Sequence, residues 1–183
     1  MCSSYSNEVD YGTLIEGLTI AINPSSIVEI GILEGFSLDC LRRGSSPETT
    51  IRAFDIFDEF NGNHANKVRV RGKFSDYPNV SIEYGNFYAT HEYLNDVDII
   101  HIDIANNGDV FEYAIQNYLP KLSPKGVLIL EGGSEVRDNV DWMIKYTKPR
   151  IAPVVAKYGL KVLGVHPSLT IIPAGSLGGF NPR

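Results

Sequence analysis

Cysteine is nearly missing from this chain. Cys2 and Cys40 are the only two in 183 residues, too few for a disulfide framework and without the spacing of a metal site. Long apolar runs are also missing: nothing approaches the length needed to span a bilayer. The opening "MCSSYSNEVDYG" lacks the pattern of a signal peptide. Positive charge is in deficit, with 16 basic against 22 acidic residues and a net charge of −6. That balance disfavours the phosphate attraction on which nucleic-acid binders rely. There is no internal repeat, low-complexity tract or linker. The expectation is a reduced, cytoplasmic protein with no nucleic-acid or membrane partner. It is a single domain over 1–183, flexible at 1–10 and 176–183.

What is present is an alternation of helix-like and strand-like segments. "YGTLIEGLTIAI" (11–22) has apolar residues at helical spacing and stops at "NPSS". "SIVEIGI" predicts a strand and "FSLDCLRR" the helix after it, with Ser37 in its first turn. "IRAFDIF" (51–57), "VSIEYGN" (80–86), "VDIIHIDI" (97–104) and "GVLILEG" (126–132) predict further strands. The fourth is apolar almost throughout, as suits the buried centre of a parallel sheet. "KVRVRGKFSDY" alternates like a strand but stands where the order calls for a helix. Residues 134–158 are expected to be mostly helical, divided by Pro149 and Pro153. "LKVLGVH" and "LTIIPA" close the chain as a hairpin turning at Pro167 and Ser168. Five β-α units and a terminal hairpin make a three-layer α/β sandwich.

In such a sheet, ligands bind beyond the carboxyl ends of the strands where strand order reverses. "IVEIGILEGFSLDCL" (27–41) occupies that place. Gly31 permits a tight turn, and Gly35 lets ligand or backbone approach closely. The amides opening the next helix point into the crevice. Asp55, ending the second strand, is placed to accept from both hydroxyls of a ribose. A strand, two glycines and a helix also serve packing alone. Glu29 narrows the choice: a carboxylate inside the first strand repels a pyrophosphate but suits a cationic ligand. The spacing is Gly-x-x-x-Gly, unlike the dinucleotide fingerprint.

"VEIGILEGFSLDCL" resembles the first motif of class I S-adenosylmethionine-dependent methyltransferases, in the branch similar to catechol and macrocin O-methyltransferases. Glu29, Gly31, Gly35 and Ser37 fall on its acid, two glycines and serine. "AFDIFDEFNG" resembles the second-strand motif, with Asp55 as the ribose acid. "YGNFY" resembles the third-strand loop, implying Asn86 at the adenine edge and Phe87 flanking the ring. "IIHIDIANNGDVFEYAIQNYLPKLSPKGVLIL" is similar to the fourth strand, helix and fifth strand. The resemblance covers about residues 10–175. It implies a Rossmann-like methyltransferase fold with a seven-stranded, mostly parallel sheet of order 3-2-1-4-5-7-6, the last strand antiparallel. It also implies S-adenosylmethionine as cofactor and a small-molecule acceptor, with Asp103 bordering the cofactor as well as the acceptor.

The family pattern places carboxylates for a divalent cation at the ends of the fourth and fifth strands. This chain keeps Asp103, but has Ile104, Ala105 and Asn106 at the next positions and Gly132 after Glu131. Asp103 and Glu131 supply two charged ligands, with Asn106 or Asn107 as neutral helpers, fewer than a hard cation wants. A metal is therefore not favoured, and no metal ligands are assigned. Asp103 and Glu131 are the candidate catalytic residues, expected to face the cleft because unpaired carboxylates are costly to bury. His101, on the same face as Asp103, reads more readily as a hydrogen-bonded core histidine.

The basic run 67–73 reads as a solvated face or an anion contact, and His64 as a loop residue bordering the cleft. Tyr5 and Tyr11 stand where related enzymes carry a cap, and Trp142 and Tyr146 read as helix packing. Methyl transfer to an oxygen nucleophile is the leading function. A non-catalytic nucleoside-binding relative is the alternative, and a nicotinamide oxidoreductase is opposed by Glu29 and the glycine spacing. A homodimer is left open, since no sequence feature specifies one.

Overall fold

The computed structural model describes residues 11–59 and 63–177. The expected flexible ends, apart from 176 and 177, and Tyr5 lie outside that range. Ser176 donates to the Pro173 carbonyl, and Leu177 packs on the core, so these two are held.

Helix α1 (Tyr11–Ile22) leads into β1 (Ser26–Ile30), α2 (Phe36–Gly44) and β2 (Thr50–Asp55). Then follow α3 (Lys67–Lys73), β3 (Val80–Tyr84), the short α4 (Phe87–Thr90), β4 (Val97–Ile102), α5 (Gly108–Asn117) and β5 (Leu122–Glu131). After β5 come α6 (Asp141–Lys145), α7 (Ala152–Tyr158), β6 (Lys161–Leu163) and β7 (Leu169–Pro173). The seven strands lie in the order 3-2-1-4-5-7-6. The pairs β1–β2, β1–β4, β2–β3 and β4–β5 are parallel, and β7 runs antiparallel to both β5 and β6. This is the expected Rossmann-like methyltransferase fold, and its order reverses between β1 and β4. No helix among the described residues is long and apolar enough to cross a membrane.

Period-2 alternation sends the central strands' side chains to two cores. Ile27, Ile51, Ile99, Val127 and Ile129 meet Ile15, Leu38, Leu41 and Val70 of α1, α2 and α3. Val28, Ile30, Phe54, Ile100, Ile102, Leu128 and Leu130 meet Phe111, Ala114 and Ile115 of α5. Parallel strands covered on both faces need this unbroken apolarity.

Two stretches that the sequence described only coarsely take definite form. The run 67–73 is helix α3, begun by the Asn66 side-chain Oδ1 accepting from the Arg69 amide at 2.9 Å. This is the helix that the element order called for, and three of its alternating charges are anchors. Arg69 pairs with Glu34, Lys73 donates to the Glu34 and Gly35 carbonyls, and Arg71 donates to the Ile82 carbonyl. The stretch 134–158 is mostly helical as expected, but in short pieces: a 3-10 turn at Arg137–Asn139, then α6 with 5 residues and α7 with 7. Asp138 starts α7 by accepting from the Ile151 and Ala152 amides at 2.7 and 2.8 Å, which fixes the turn that divides the stretch.

Phe111 is fully buried at the centre of the second core. Phe111→Ala should cost about 3–5 kcal/mol in urea unfolding. A loss below about 1 kcal/mol would show that α5 is not packed as described.

Candidate active site

The polar groups gather where β1, β2, β4 and β5 end. Glu29 on β1 is in register with His101 on β4, and both side chains are wholly buried. They extend the face that is otherwise Ile27 and Ile99, so a polar inset sits at the carboxyl end of an apolar surface. Glu29 Oε1 accepts from the Ser37 hydroxyl on α2 and lies 3.2 Å from His101 Nδ1. Burial alone would lower the His101 pKa. The hydrogen bond and charge of Glu29, with the charges of Asp103 and Glu131, instead hold it above its ordinary value. His101 therefore compensates Glu29, the carboxylate expected to meet a cationic ligand, and Ser37 is bound to that carboxylate.

Gly31 follows β1 at φ 91°, and a Cβ there would stand 2.1 Å from the Asp103 carbonyl oxygen. The loops after β1 and β4 thus touch across the switch point, which only glycine allows. Gly35, at φ 74°, precedes α2, and what approaches it is the ring of Phe74, the residue that follows α3, 2.7 Å from where a Cβ would lie. The close approach expected there is made by the protein itself.

Asp55 is also engaged by the protein itself. Its Oδ2 accepts from the Ile32 amide at 2.8 Å and the Leu33 amide at 3.4 Å. Oδ1 accepts from the Phe57 amide and the Asn63 side chain, both at 2.7 Å. In this structure the expected ribose acceptor is a clamp on the turn after β1. Asn86 is exposed beside it and caps α4 by accepting from the Tyr88 amide at 2.9 Å. Phe87, expected to flank a ring at the site, is a core residue. It stacks on Tyr118 at 5.2 Å and contacts Tyr88 and Tyr113, because α4 turns it inward under α5.

On the acceptor side the two candidate carboxylates differ. Glu131 is not a free group facing the cleft. Its oxygens accept from Arg137 Nε at 2.7 Å and Nη2 at 2.8 Å in a buried, two-pronged pair. A carboxylate so deep requires such a partner. Asp103, half-buried, has no hydrogen-bond partner for its carboxylate among the described residues. Burial and the Glu131 charge raise its pKa from 3.8 to about 7. The sequence reading missed Arg137. An arginine six residues beyond the acid that ends β5 was the available signal, but nothing in the spacing shows that the intervening loop folds back.

Two neutral groups counted as metal helpers are also engaged. Asn106 donates to the Ile102 and Glu131 carbonyls at 3.0 and 2.8 Å, and Asn107 Oδ1 caps α5. Among the described residues no three His, Cys, Asp or Glu side chains are placed to hold a metal ion. The donor set does not fit a divalent cation. Elsewhere, Tyr11 is buried with its hydroxyl donating to the Pro167 carbonyl, so it closes the core instead of capping the site. His64 is exposed on an open hollow with Asn66, Val68 and Arg69, on the α3 side.

A family profile described as a methyltransferase domain matches residues 28–131. The chain belongs to the methyltransferase domain family. This methyltransferase domain is similar in fold to a putative O-methyltransferase from Klebsiella pneumoniae. They share 15% identity with a TM-score of 0.69, over 95% of this chain and 83% of that one. It is likewise similar to the O-methyltransferase from Bacillus cereus in complex with SAH (19%, TM-score 0.64, over 92% and 82%). A third is a putative caffeoyl-CoA O-methyltransferase from Staphylococcus aureus (21%, TM-score 0.62, over 91% and 85%). No curated protein matches significantly.

The Asp103 environment has a consequence for the stability of the methyltransferase. Folded Asp103 keeps its proton to about pH 7, whereas an unfolded aspartate releases it near the ordinary value of 3.8. Between those values the folded state binds more protons, so this group's contribution falls as pH rises and stays low above 7. Asp103→Asn should therefore be more stable than wild type at pH 8, with the gap closing towards pH 4. Urea unfolding across that range checks it, and parallel curves for the two proteins would contradict the buried-carboxyl assignment.

Proposed function

We propose that this chain transfers the methyl group of S-adenosylmethionine to an oxygen atom of a small-molecule acceptor, with Asp103 as the base. The observation behind this reading is the contrast among the carboxylates. Glu29, Asp55 and Glu131 are each held by protein donors, and of the four Asp103 alone has no partner among the described residues. A base poised near the working pH is what proton removal from a hydroxyl requires. The fold shared with the Bacillus cereus enzyme held with SAH supports the choice of cofactor.

S-adenosylmethionine, when bound, supplies a methyl carbon already activated by positive sulfur. Two atoms on the Glu29 side suit a polar ligand or solvent there: Glu29 Oε2 and His101 Nε2 are buried without a protein partner among the described residues. Asp55 would accept from the ribose in exchange for Asn63, its one side-chain donor, while the Ile32 and Phe57 amides keep it in place. Asn86 would stand at the adenine edge, and the turn at Gly31 and Gly35 would border the adenosyl group. Asp103 takes the acceptor's hydroxyl proton as the oxygen's electron pair forms the new bond to carbon. The carbon–sulfur pair remains on sulfur.

One observation favours a second reading. With Asp55 and Glu131 already satisfied internally, the domain would also serve as a nucleoside-binding relative without turnover.

Calorimetry with S-adenosylmethionine, S-adenosylhomocysteine and NAD separates these readings. Binding of the first two and not NAD is expected, and NAD binding in their place would refute both readings. Methyl transfer from labelled S-adenosylmethionine to a panel of hydroxyl compounds should rise with pH through about 7. Asp103→Asn should lower turnover by about 10²–10⁴-fold with S-adenosylhomocysteine affinity retained. Binding without transfer at any pH would establish the second reading.

A further inference from the structure

We infer that the buried Glu29–His101 pair is a proton-exchange seat beneath the cofactor. The His101 imidazolium gives up its Nε2 proton to solvent when a positively charged sulfur arrives, and regains one when that sulfur becomes neutral. The site thereby distinguishes S-adenosylmethionine from S-adenosylhomocysteine by a single charge. This rests on the methyl-transfer reading and gives His101 a positioning role in it.

Glu29 and His101 lie in register across β1 and β4, and both side chains are 0% exposed. One oxygen, Oε1, takes both protein contacts: the Ser37 hydroxyl, and His101 Nδ1 at 3.2 Å. Glu29 Oε2 and His101 Nε2 are buried with no hydrogen-bond partner among the described residues. A carboxylate this deep needs a counter-charge, and the imidazolium is placed to give it. The two N–H groups of that ring are not equal. Glu29 holds the one on Nδ1, whereas no described residue accepts from Nε2, so the Nε2 proton is the one lost more readily. Its loss leaves a neutral ring still donating to Glu29 from Nδ1.

The pair lies one row below the crevice. Asp103 follows His101 by two residues, and Gly31 follows Glu29 likewise, a rise of about 7 Å along the strands. A sulfur aligned with the oxygen that Asp103 deprotonates stands above that upper row. At about 7–10 Å and an effective dielectric of about 20, one added positive charge makes the His101 proton about 10- to 100-fold easier to lose. Burial already works against that proton. The hydrogen bond and charge of Glu29, with the charges of Asp103 and Glu131, outweigh it in the free chain. Arg137 is bound to Glu131, and α2 presents the neutral Ser37 hydroxyl. The helices on this face otherwise contribute apolar side chains such as Ile15, Leu41 and Val70. S-adenosylhomocysteine lacks the sulfur charge, so methyl transfer itself restores the proton.

Nitrogen NMR of the labelled full chain reads the ring directly. There are four histidines, and the His101 signal is the one that persists in each of His64→Gln, His91→Gln and His166→Gln. In the free chain both His101 nitrogens should be protonated at pH 6, and S-adenosylhomocysteine should leave the titration midpoint in place. S-adenosylmethionine should lower that midpoint by about one to two pH units. Affinities are compared in Asp103→Asn, where that carboxyl cannot contribute a proton. The ratio of S-adenosylmethionine to S-adenosylhomocysteine affinity should there rise about threefold or more from pH 6 to 8. Adding His101→Gln should leave the ratio flat, and if that double variant does not fold the midpoints decide alone. A singly protonated His101 at pH 6 overturns the inference, as does a ratio that rises equally without His101. Binding of both ligands with coincident midpoints refutes this role alone. Binding of neither refutes the cofactor reading, and this role with it.

Discussion

A carboxylate taken out of water needs a donor or a counter-charge, and four of them crowd the carboxyl ends of β1, β2, β4 and the end of β5. Much of the local architecture answers that demand. Glu29 is met by Ser37 and His101, Asp55 by three backbone amides and Asn63, and Glu131 by both prongs of Arg137. Each answer also ties two elements together. Ser37 docks the start of α2 onto β1, Asp55 holds the turn after β1 to the end of β2, and Arg137 pins the loop beyond β5. Stability and site geometry are thus products of one electrostatic requirement.

The exception gains its meaning from the rest. Asp103 lies where the loops after β1 and β4 meet, with the Gly31 backbone against its own carbonyl, and no donor among the described residues reaches its carboxylate. Burial and the charge of Glu131 hold its proton to near neutrality. A group in that condition suits proton exchange with a bound hydroxyl better than structural support.

How far the site was legible in the chain can be judged residue by residue. Glu29, Ser37, Asp55 and Asp103 could be placed at one end of the sheet because β strands advance predictably and the glycines mark where β1 stops. The partner of each acid could not be read. Ser37 is eight residues from Glu29, His101 is 72, and Arg137 reaches Glu131 only because the intervening loop turns back. Phe87 shows the same limit from the apolar side. Its position beside Asn86 was legible, but the inward turn that stacks it on Tyr118 depends on where α5 lies.

The sequence alone determined the succession of helices and strands and the two apolar faces of the central strands, and its resemblance to class I methyltransferases implied the strand order. Periodicity of 2 and 3.6 and the glycine turns are local properties, and right-handed crossovers leave little freedom in joining them. The tertiary structure decided which acids are compensated and which one is left to act. Ionisation depends on distances of a few ångströms between groups remote along the chain, and only the packed fold sets those distances.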